Sequence, residues 1–402
     1  MTATPWFDLP PSDQCGWKKH SHVAVIGAGL AGLCAARALI IRGFQVTVYD
    51  SAEHCAAGAS GSPAGIVKPY ITREPSDAMR FHQEAYATLM RWLPELQNNG
   101  GFQSIGALQL TDRNYKQNSV YENLNAQASS KVSGVTLKQS CIYFKDAGWL
   151  SVKQLCNSLL QDILNRGGVF KAQHKLDTLT WHDLQDSWAL SFDLTPTVFS
   201  KQVVLANGAS LTKFSQLSEV DLIPARGQIS TFDRTFELNT VVSGQHYAIP
   251  GASSVWVGAS FYRGNNSDIP LAADDRENQS FGNELMPELK KPLQQATDRF
   301  VGVRSTTRDR FPVIGPMPDT KAAQSLYHDI RHGRQLSNYP APTFYPGLAI
   351  LGGLGSKGIA IAPFAAELLA DWTVGGVRLV EQNRIVSPLR FLIKQLKRQP
   401  KQ

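Results

Sequence analysis

The sequence predicts an α/β fold in which a parallel-sheet domain is interleaved with a smaller mixed-sheet, α+β lobe. Three observations predict it. A short apolar run at residues 23–26 ends on a glycine and leads into helical spacing and a second β-branched run. A further buried-strand signal, Val203-Val204-Leu205-Ala206, returns far downstream, and a strand, loop and helix pattern follows over residues 348–372. Segments of one sheet lying so far apart in the chain require a second lobe inserted between them.

The elements follow in order. The first 20 residues, with Pro5, Pro10 and Pro11, read as an arm or linker. The run Val23-Ala24-Val25-Ile26 has no polar interruption and suits a parallel strand buried on both faces. Leu33, Ala36 and Ile40 recur at helical spacing, Gly43 closes that helix, and residues 45–49 alternate toward Asp50. Beyond lie a Gly- and Ser-rich loop at 58–65, helices at about 77–96 and 152–165, and strands at 107–111, 227–232, 247–249 and 254–259. Strand 348–351, loop 352–358 and helix 359–372 return to the first sheet. The expected division is an arm at 1–20, a nucleotide-binding domain at 21–90, 145–222 and 301–385, a substrate domain at 91–144 and 223–300, and a basic tail at 386–402.

Composition narrows the class. The 402 residues are 43% hydrophobic and 18% charged, as in a globular protein and unlike a disordered or fibrous chain. Forty basic and 33 acidic residues give a net charge of +7, which suits an anionic partner. Arg390, Lys394, Lys397, Arg398 and Lys401 place five of those positive charges in the last thirteen residues. That stretch reads either as a solvated helix end or as a phosphate-tracking arm. Five cysteines without CxxC spacing argue against a disulfide framework or a zinc site and fit a reducing cytoplasm. The first 20 residues lack the apolar core of a signal peptide, and the apolar stretch 347–370 is broken by Lys357 and several glycines, so no membrane segment is expected. His328 and His332 have metal-ligand spacing but no third partner by pattern; no metal is expected.

The chemistry resides in glycine loops. Gly27-Ala28-Gly29-Leu30-Ala31-Gly32 follows a strand and opens a helix, so its glycines permit a tight turn, close approach of backbone to a pyrophosphate, and packing of helix on strand. Asp50, eighteen residues after Gly32, is placed to accept from a ribose hydroxyl. This unit serves FAD and NAD alike, and two later loops favour FAD. Gly58-Ala59-Ser60-Gly61 can wrap phosphate or the flavin edge. Gly353-Leu354-Gly355-Ser356-Lys357-Gly358, between a strand and a helix, can turn backbone N–H groups toward the negative charge of a reduced flavin.

With these motifs the sequence resembles the D-amino acid oxidase-like superfamily of FAD enzymes. Within it, the sequence is similar to the oxidoreductase domain of the bifunctional tRNA 5-methylaminomethyl-2-thiouridine biosynthesis proteins. The further residues that carry the resemblance are Gly148-Trp149-Leu150, Leu205-Ala206-Asn207-Gly208, Arg226-Gly227-Gln228, the stretches 258–264 and 302–309, and Pro312-Val313-Ile314-Gly315. The resemblance covers nearly the whole chain and implies a Rossmann-like FAD domain interleaved with a glycine oxidase-like substrate domain. It also implies non-covalent FAD, with Ala206, Asn207 and Gly208 joining the cofactor site. Asp50 stands where the family more often has Glu, and Lys357 where it often has Arg.

The implied substrate is tRNA carrying 5-carboxymethylaminomethyl-(2-thio)uridine at the wobble position. That group is an N-substituted glycine, and its oxidation and hydrolysis give the aminomethyl uridine and glyoxylate. By resemblance to glycine oxidases, Arg304 is the candidate clamp for the carboxylate, unless it pairs with Asp309 instead. Tyr247 is either a hydroxyl donor or a core aromatic, and Lys357 approaches either the carboxylate or the flavin. Arg226 is expected only to support a turn at Gly227-Gln228. Arg390, Lys394, Lys397 and Arg398 are the candidate tRNA contacts, and the family's methyltransferase activity is expected from a separate partner. The alternatives are an oxidase of free glycine, sarcosine or D-amino acids, and a tRNA-binding flavoprotein without turnover.

Overall fold

The computed structural model describes residues 5–112, 115, 119–285, 293–332 and 338–398. The chain divides into two compact units, one of residues 1–57, 159–223 and 304–402 and the other of 58–158 and 224–303. The interleaving read from the sequence is present, with different boundaries. Residues 58–90 and 145–158, assigned from sequence to the first domain, belong to the second unit. The reason is local pairing: strand Gly65–Val67 pairs antiparallel with Gly148–Leu150, and the pair is tied to the second unit where Gln103 and Gly106 donate their N–H groups to the carbonyls of Trp149 and Ala147, each at 2.8 Å, and Lys68 donates to Gln109 Oε1 at 2.5 Å.

The first unit is built on a six-stranded sheet in the order 313–318, 344–352, 202–205, 22–26, 45–49, 169–171. All neighbours are parallel except the edge strand Val313–Pro318. The strands His22–Ile26 and Gln202–Leu205 are almost wholly buried, which explains why both read as uninterrupted apolar runs. Helix Leu30–Ile41 packs against helix Gly358–Thr373. Their Ala-rich faces permit close approach, and Arg42 at the end of the first is held by Glu367 and Asp371 of the second.

Both chain ends correct the sequence reading. Residues 5–20 are a packed segment rather than a loose arm. Trp6 is 2% exposed and Trp17 1%, and Ser12 donates to the Thr373 carbonyl at 3.0 Å. Prolines gave the loop signal, whereas the tryptophans supply the apolar surface that makes docking favourable. The expected basic tail forms helix Leu389–Arg398 over its described part, with Leu389, Leu392, Ile393 and Leu396 buried beside Trp6, Tyr327 and Tyr339. Lys401 lies outside the described residues.

The second unit carries most of a nine-stranded mixed sheet, with helix Ala272–Leu285 against strand Ser254–Gly258. Gly227 and Gln228, read from sequence both as the start of a strand at 227–232 and as a turn beside Arg226, lie inside the long strand Leu222–Asp233, and the turn does not form. Arg226, Gln228 and Ser230 alternate onto one face of that strand and meet a polar face of the helix. Arg226 pairs with Asp274, both fully buried, and donates to Gln228 Oε1 at 3.0 Å. Asp275 accepts from Gln228 Nε2 at 2.8 Å and Ser230 Oγ at 2.7 Å, and Asn278 donates to Ser230 Oγ at 2.9 Å. Removing one member of a buried ion pair strands the other charge away from water. Asp274→Ala is therefore expected to destabilise the protein by roughly 3–5 kcal/mol in chemical denaturation, whereas an exposed change such as Glu84→Ala stays within about 0.5 kcal/mol.

Candidate functional site

In the first unit the glycine turn is closed by contacts that exclude side chains. Gly27 has φ +107°, and a Cβ there would lie 2.7 Å from the Ala206 carbonyl oxygen; a Cβ on Gly32 would lie 1.8 Å from that of Gly27. The turn thus delivers Gly29 as the N-cap of helix Leu30–Ile41 with no side chain capping its N–H groups. Asp50 braces the turn from the end of the second strand. Its carboxylate accepts from the N–H of Ala28 at 2.5 Å and of Ala52 at 2.8 Å, and each oxygen retains a lone pair. Asn207 follows the neighbouring strand, and its Oδ1 is buried without a hydrogen-bond partner among the described residues.

An uncapped helix start, a braced carboxylate and an orphaned acceptor fit the pyrophosphate and hydroxyl groups of a dinucleotide. Gly27, Ala28, Gly29, Leu30, Ala31, Gly32, Asp50, Ala206, Asn207 and Gly208 are brought together here. The loop 353–358 lies in the same unit after strand Phe344–Gly352. Gly353 has φ +65° with Thr307, Leu222 and Val313 packed around it; Gly355 has φ +61° and open space. Gly355–Lys357 form a short 3-10 turn into helix Gly358–Thr373, which also has no side-chain cap. Ser356 and Lys357 are exposed.

Gly58, Ala59, Ser60 and Gly61 belong to the second unit, where Ala59–Gly61 form a 3-10 turn capped by an exposed Gly58, a Cβ on which would meet no described atom within 4 Å. A Cβ on Gly302 would lie 3.1 Å from the Ala59 Cα, which binds this turn to the strand bearing the next residues.

Arg304 is half-buried on strand Asp298–Thr307, and no carboxylate among the described residues pairs with it. Its sequence neighbours are engaged elsewhere: Arg308 pairs with Asp221 at 2.6 Å and Asp309 with Arg390 at 2.8 Å. The pairing of Arg304 with Asp309 that the sequence left open does not occur. Arg390 is corrected as well. It is 8% exposed and also donates to the carbonyls of Phe311, Val386 and Ser387, so it fastens the last helix and does not face a polyanion. Burial would raise the Asp309 carboxyl, but the Arg390 guanidinium outweighs it and holds the group below its usual range. Tyr247 opens strand Tyr247–Pro250 in the second unit and, half-buried like Trp149 and Trp256, packs against a cluster that includes Ile142, Phe144 and Ile249. Arg226 is sealed in its pair with Asp274. His328 bonds the Ser325 carbonyl at 2.8 Å, and the side chain of His332 lies outside the described residues.

Sequence reasoning missed Lys68. It follows strand Gly65–Val67, with Nζ 2.5 Å from Gln109 Oε1 and 5.2 Å from the centroid of the Phe144 ring. Burial pushes its pKa down from 10.5 to about 8. The one sequence signal is a lone cation ending the apolar run Gly65-Ile66-Val67.

Residues 22–372 match the family described as FAD dependent oxidoreductase. The tRNA 5-methylaminomethyl-2-thiouridine biosynthesis bifunctional protein MnmC of Shewanella amazonensis is 28% identical over 94% of this chain. The chain spans 61% of that relative's length. Among solved structures, glycine oxidase from Geobacillus kaustophilus superposes with a TM-score of 0.71 at 17% identity, covering 89% of this chain and 96% of that one. L-proline dehydrogenase from P. horikoshii gives 0.72 at 16% identity, covering 93% and 98%. At these identities the likeness is one of fold. Among the described residues no helix is long and apolar enough to cross a membrane.

Two outcomes follow. Asp50→Asn keeps the shape but loses the charge that accepts hydroxyl and N–H donors, and is expected to weaken FAD binding about 10- to 100-fold, as read by flavin fluorescence titration. For Lys68, the unfolded chain binds more protons than the folded one between pH 8 and 10.5. Its burial penalty is therefore complete below about pH 8 and fades above it. The stability gap between Lys68→Met and the unsubstituted protein, measured by urea denaturation, should shift in favour of the unsubstituted protein between about pH 7 and pH 10.

Proposed function

Because the chain belongs to the FAD dependent oxidoreductase family, we propose that it oxidises a CH–NH group, that of a carboxymethylaminomethyl substituent on the wobble uridine of tRNA. The relative of 28% identity, named for tRNA 5-methylaminomethyl-2-thiouridine biosynthesis, supports the substrate. The single observation that carries the chemistry is Arg304, a half-buried guanidinium with no acidic partner among the described residues, close in sequence to Arg308 and Asp309, whose charges are both answered. An N-substituted glycine presents a carboxylate to such a group, and guanidinium binds it through two parallel hydrogen bonds.

FAD, when bound, supplies the two-electron acceptor for this oxidation. The chain's residues hold and orient. Gly27 to Gly32 and Asp50 secure the dinucleotide without a covalent link, and none of the five cysteines falls in the stretch 302–309. Arg304 fixes the carboxylate so that the methylene carbon has one orientation, a positioning effect that contributes much of the rate. Tyr247 and Lys357 are assigned secondary contacts, as hydroxyl donor and as cation near the carboxylate or flavin. The substrate loses two electrons and two protons, one hydrogen from the methylene carbon and one from the nitrogen; water adds to the resulting imine, and the C–N bond breaks to release glyoxylate and the aminomethyl uridine. A separate methyltransferase consuming that amine, and a cytoplasmic location, belong to the same reading.

The test is incubation of the purified flavoprotein with tRNA bearing 5-carboxymethylaminomethyl-2-thiouridine, followed by mass spectrometry of the nucleosides. Conversion to the aminomethyl nucleoside with one glyoxylate per turnover is expected. An unchanged nucleoside in the presence of a reducible bound flavin overturns the reading, and saturable peroxide production from free glycine, sarcosine or a D-amino acid replaces it with an amino acid oxidase. Arg304→Ala is expected to lower kcat/KM by about 10²- to 10³-fold, with Arg304→Lys recovering part of the loss.

A further inference from the structure

The helix Leu389–Arg398 and the packed amino-terminal segment enclose a surface recess of about 360 Å³ within the first unit. Its walls include Trp6, Phe7 and Ile393, and its rim carries Arg384, Lys394, Lys397 and Arg398. All four cations are exposed, and none has a carboxylate partner among the described residues. Lys394, Lys397 and Arg398 stand at i, i+3 and i+4, so they share one helix face. Arg384 joins them from the preceding helix, Arg378–Val386. Lys397 Nζ lies 5.0 Å from the centroid of the Trp6 ring, which holds this long side chain over the recess.

Helix-end electrostatics do not account for the arrangement. Cations favour the last turn of a helix, and that explains Lys397 and Arg398 on one helix and Arg384 on the other. It explains neither Lys394, in mid-helix, nor the convergence of two helices on one recess without a counter-charge. A basic amphipathic helix also suits a membrane surface, but here the apolar face is consumed by Trp6, Tyr327, Ile330 and Tyr339. The residues of this helix left exposed are Lys394, Gln395, Lys397 and Arg398. The fifth lining cation, Arg390, is neutralised by Asp309 and anchors the helix that presents the other four.

We infer that this recess is a phosphate-binding site for the sugar-phosphate backbone of RNA, separate from the residues that hold the dinucleotide and the reacting carboxylate. The inference rests on the tRNA reading above and deepens it: Arg384 enters the contact set and Arg390 leaves it. Trp6 is too buried for a base to stack on it, so the recess recognises backbone rather than sequence. Four cations around one cavity suit successive phosphodiesters more than a single phosphate ion.

The experiment compares the full flavin-loaded chain with Lys394→Gln/Arg398→Gln and with Arg384→Gln. Binding of an unmodified tRNA transcript is followed by fluorescence anisotropy from about 50 to about 300 mM KCl. Turnover of the free 5-carboxymethylaminomethyl-uridine nucleoside, which has no phosphate, is measured on the same samples. Bound flavin and thermal melting confirm that each variant folds, and Lys394→Arg/Arg398→Lys keeps the charge. The double variant is expected to bind tRNA about tenfold more weakly at the lowest salt, with its salt slope reduced by about 2, while nucleoside turnover is unchanged and the charge-conserving pair binds normally. Equal tRNA affinity and slope in the unsubstituted protein and the glutamine variants would overturn the site and leave the reaction standing. If inorganic phosphate stabilises the unsubstituted protein but not the variants while tRNA affinity is unaffected, the recess takes a small anion and the RNA assignment fails. Charge-dependent tRNA binding by a protein that turns over no modified nucleoside or tRNA supports the site and refutes the reaction.

Discussion

The first unit depends on the absence of two side chains. A Cβ on Gly32 would lie 1.8 Å from the Gly27 carbonyl oxygen, and one on Gly27 would lie 2.7 Å from that of Ala206. Because both are missing, the first strand, the helix after it and the returning strand Gln202–Leu205 meet at one point. The N–H of Ala206 reaches the Ile26 carbonyl at 2.9 Å, continuing the parallel register past the strand ends. The helix start that results is uncapped, Asp50 is drawn onto the Ala28 N–H, and Asn207 is left with a buried acceptor unanswered. One steric constraint thus sets the sheet order and creates a place for an anion.

Charge is used in a similarly divided way. Much of the arginine complement is structural: Arg37 holds Asp162, Arg42 and Arg378 share Glu367 and Asp371, Arg226 is sealed against Asp274, and Arg390 against Asp309. Such pairs fix geometry and contribute nothing to an external partner. Arg304 stands without an acid in one place, and Arg384, Lys394, Lys397 and Arg398 gather in another. The first suits a single carboxylate and the second a polyanion.

The fold was legible where local pattern and tertiary burial agree. The βαβ unit at 22–49, the strand at 202–205 and the glycine loop before helix Gly358–Thr373 all announce themselves, because a strand buried on both faces is apolar throughout and its turn needs glycine. The misreadings have a common physical origin. Prolines near Trp6 and five cations after residue 389 look like solvent-facing chain, yet a few large apolar side chains in each segment decide the packing. Helix Ala272–Leu285 hides the reverse case, for its Asp274, Asp275 and Asn278 are buried by partners that no periodicity identifies. Of the candidate site, the glycine turn and Asp50 could be read from spacing. The distinction between an engaged Arg390 and an unpaired Arg304 could not, because it depends on Asp309 and Asp221, brought near by the fold. Lys68 was invisible for the same reason.

The central claim is that electrons leave a tRNA-borne glycyl amine for a flavin held by this chain. Mixing the flavin-loaded protein without oxygen against tRNA bearing the carboxymethylaminomethyl group reads it in one turnover, through loss of the flavin's visible absorbance. The account predicts rapid bleaching by that tRNA and none by tRNA lacking the group or by free glycine at equal concentration. Bleaching by glycine alone, with the modified tRNA inert, would contradict it.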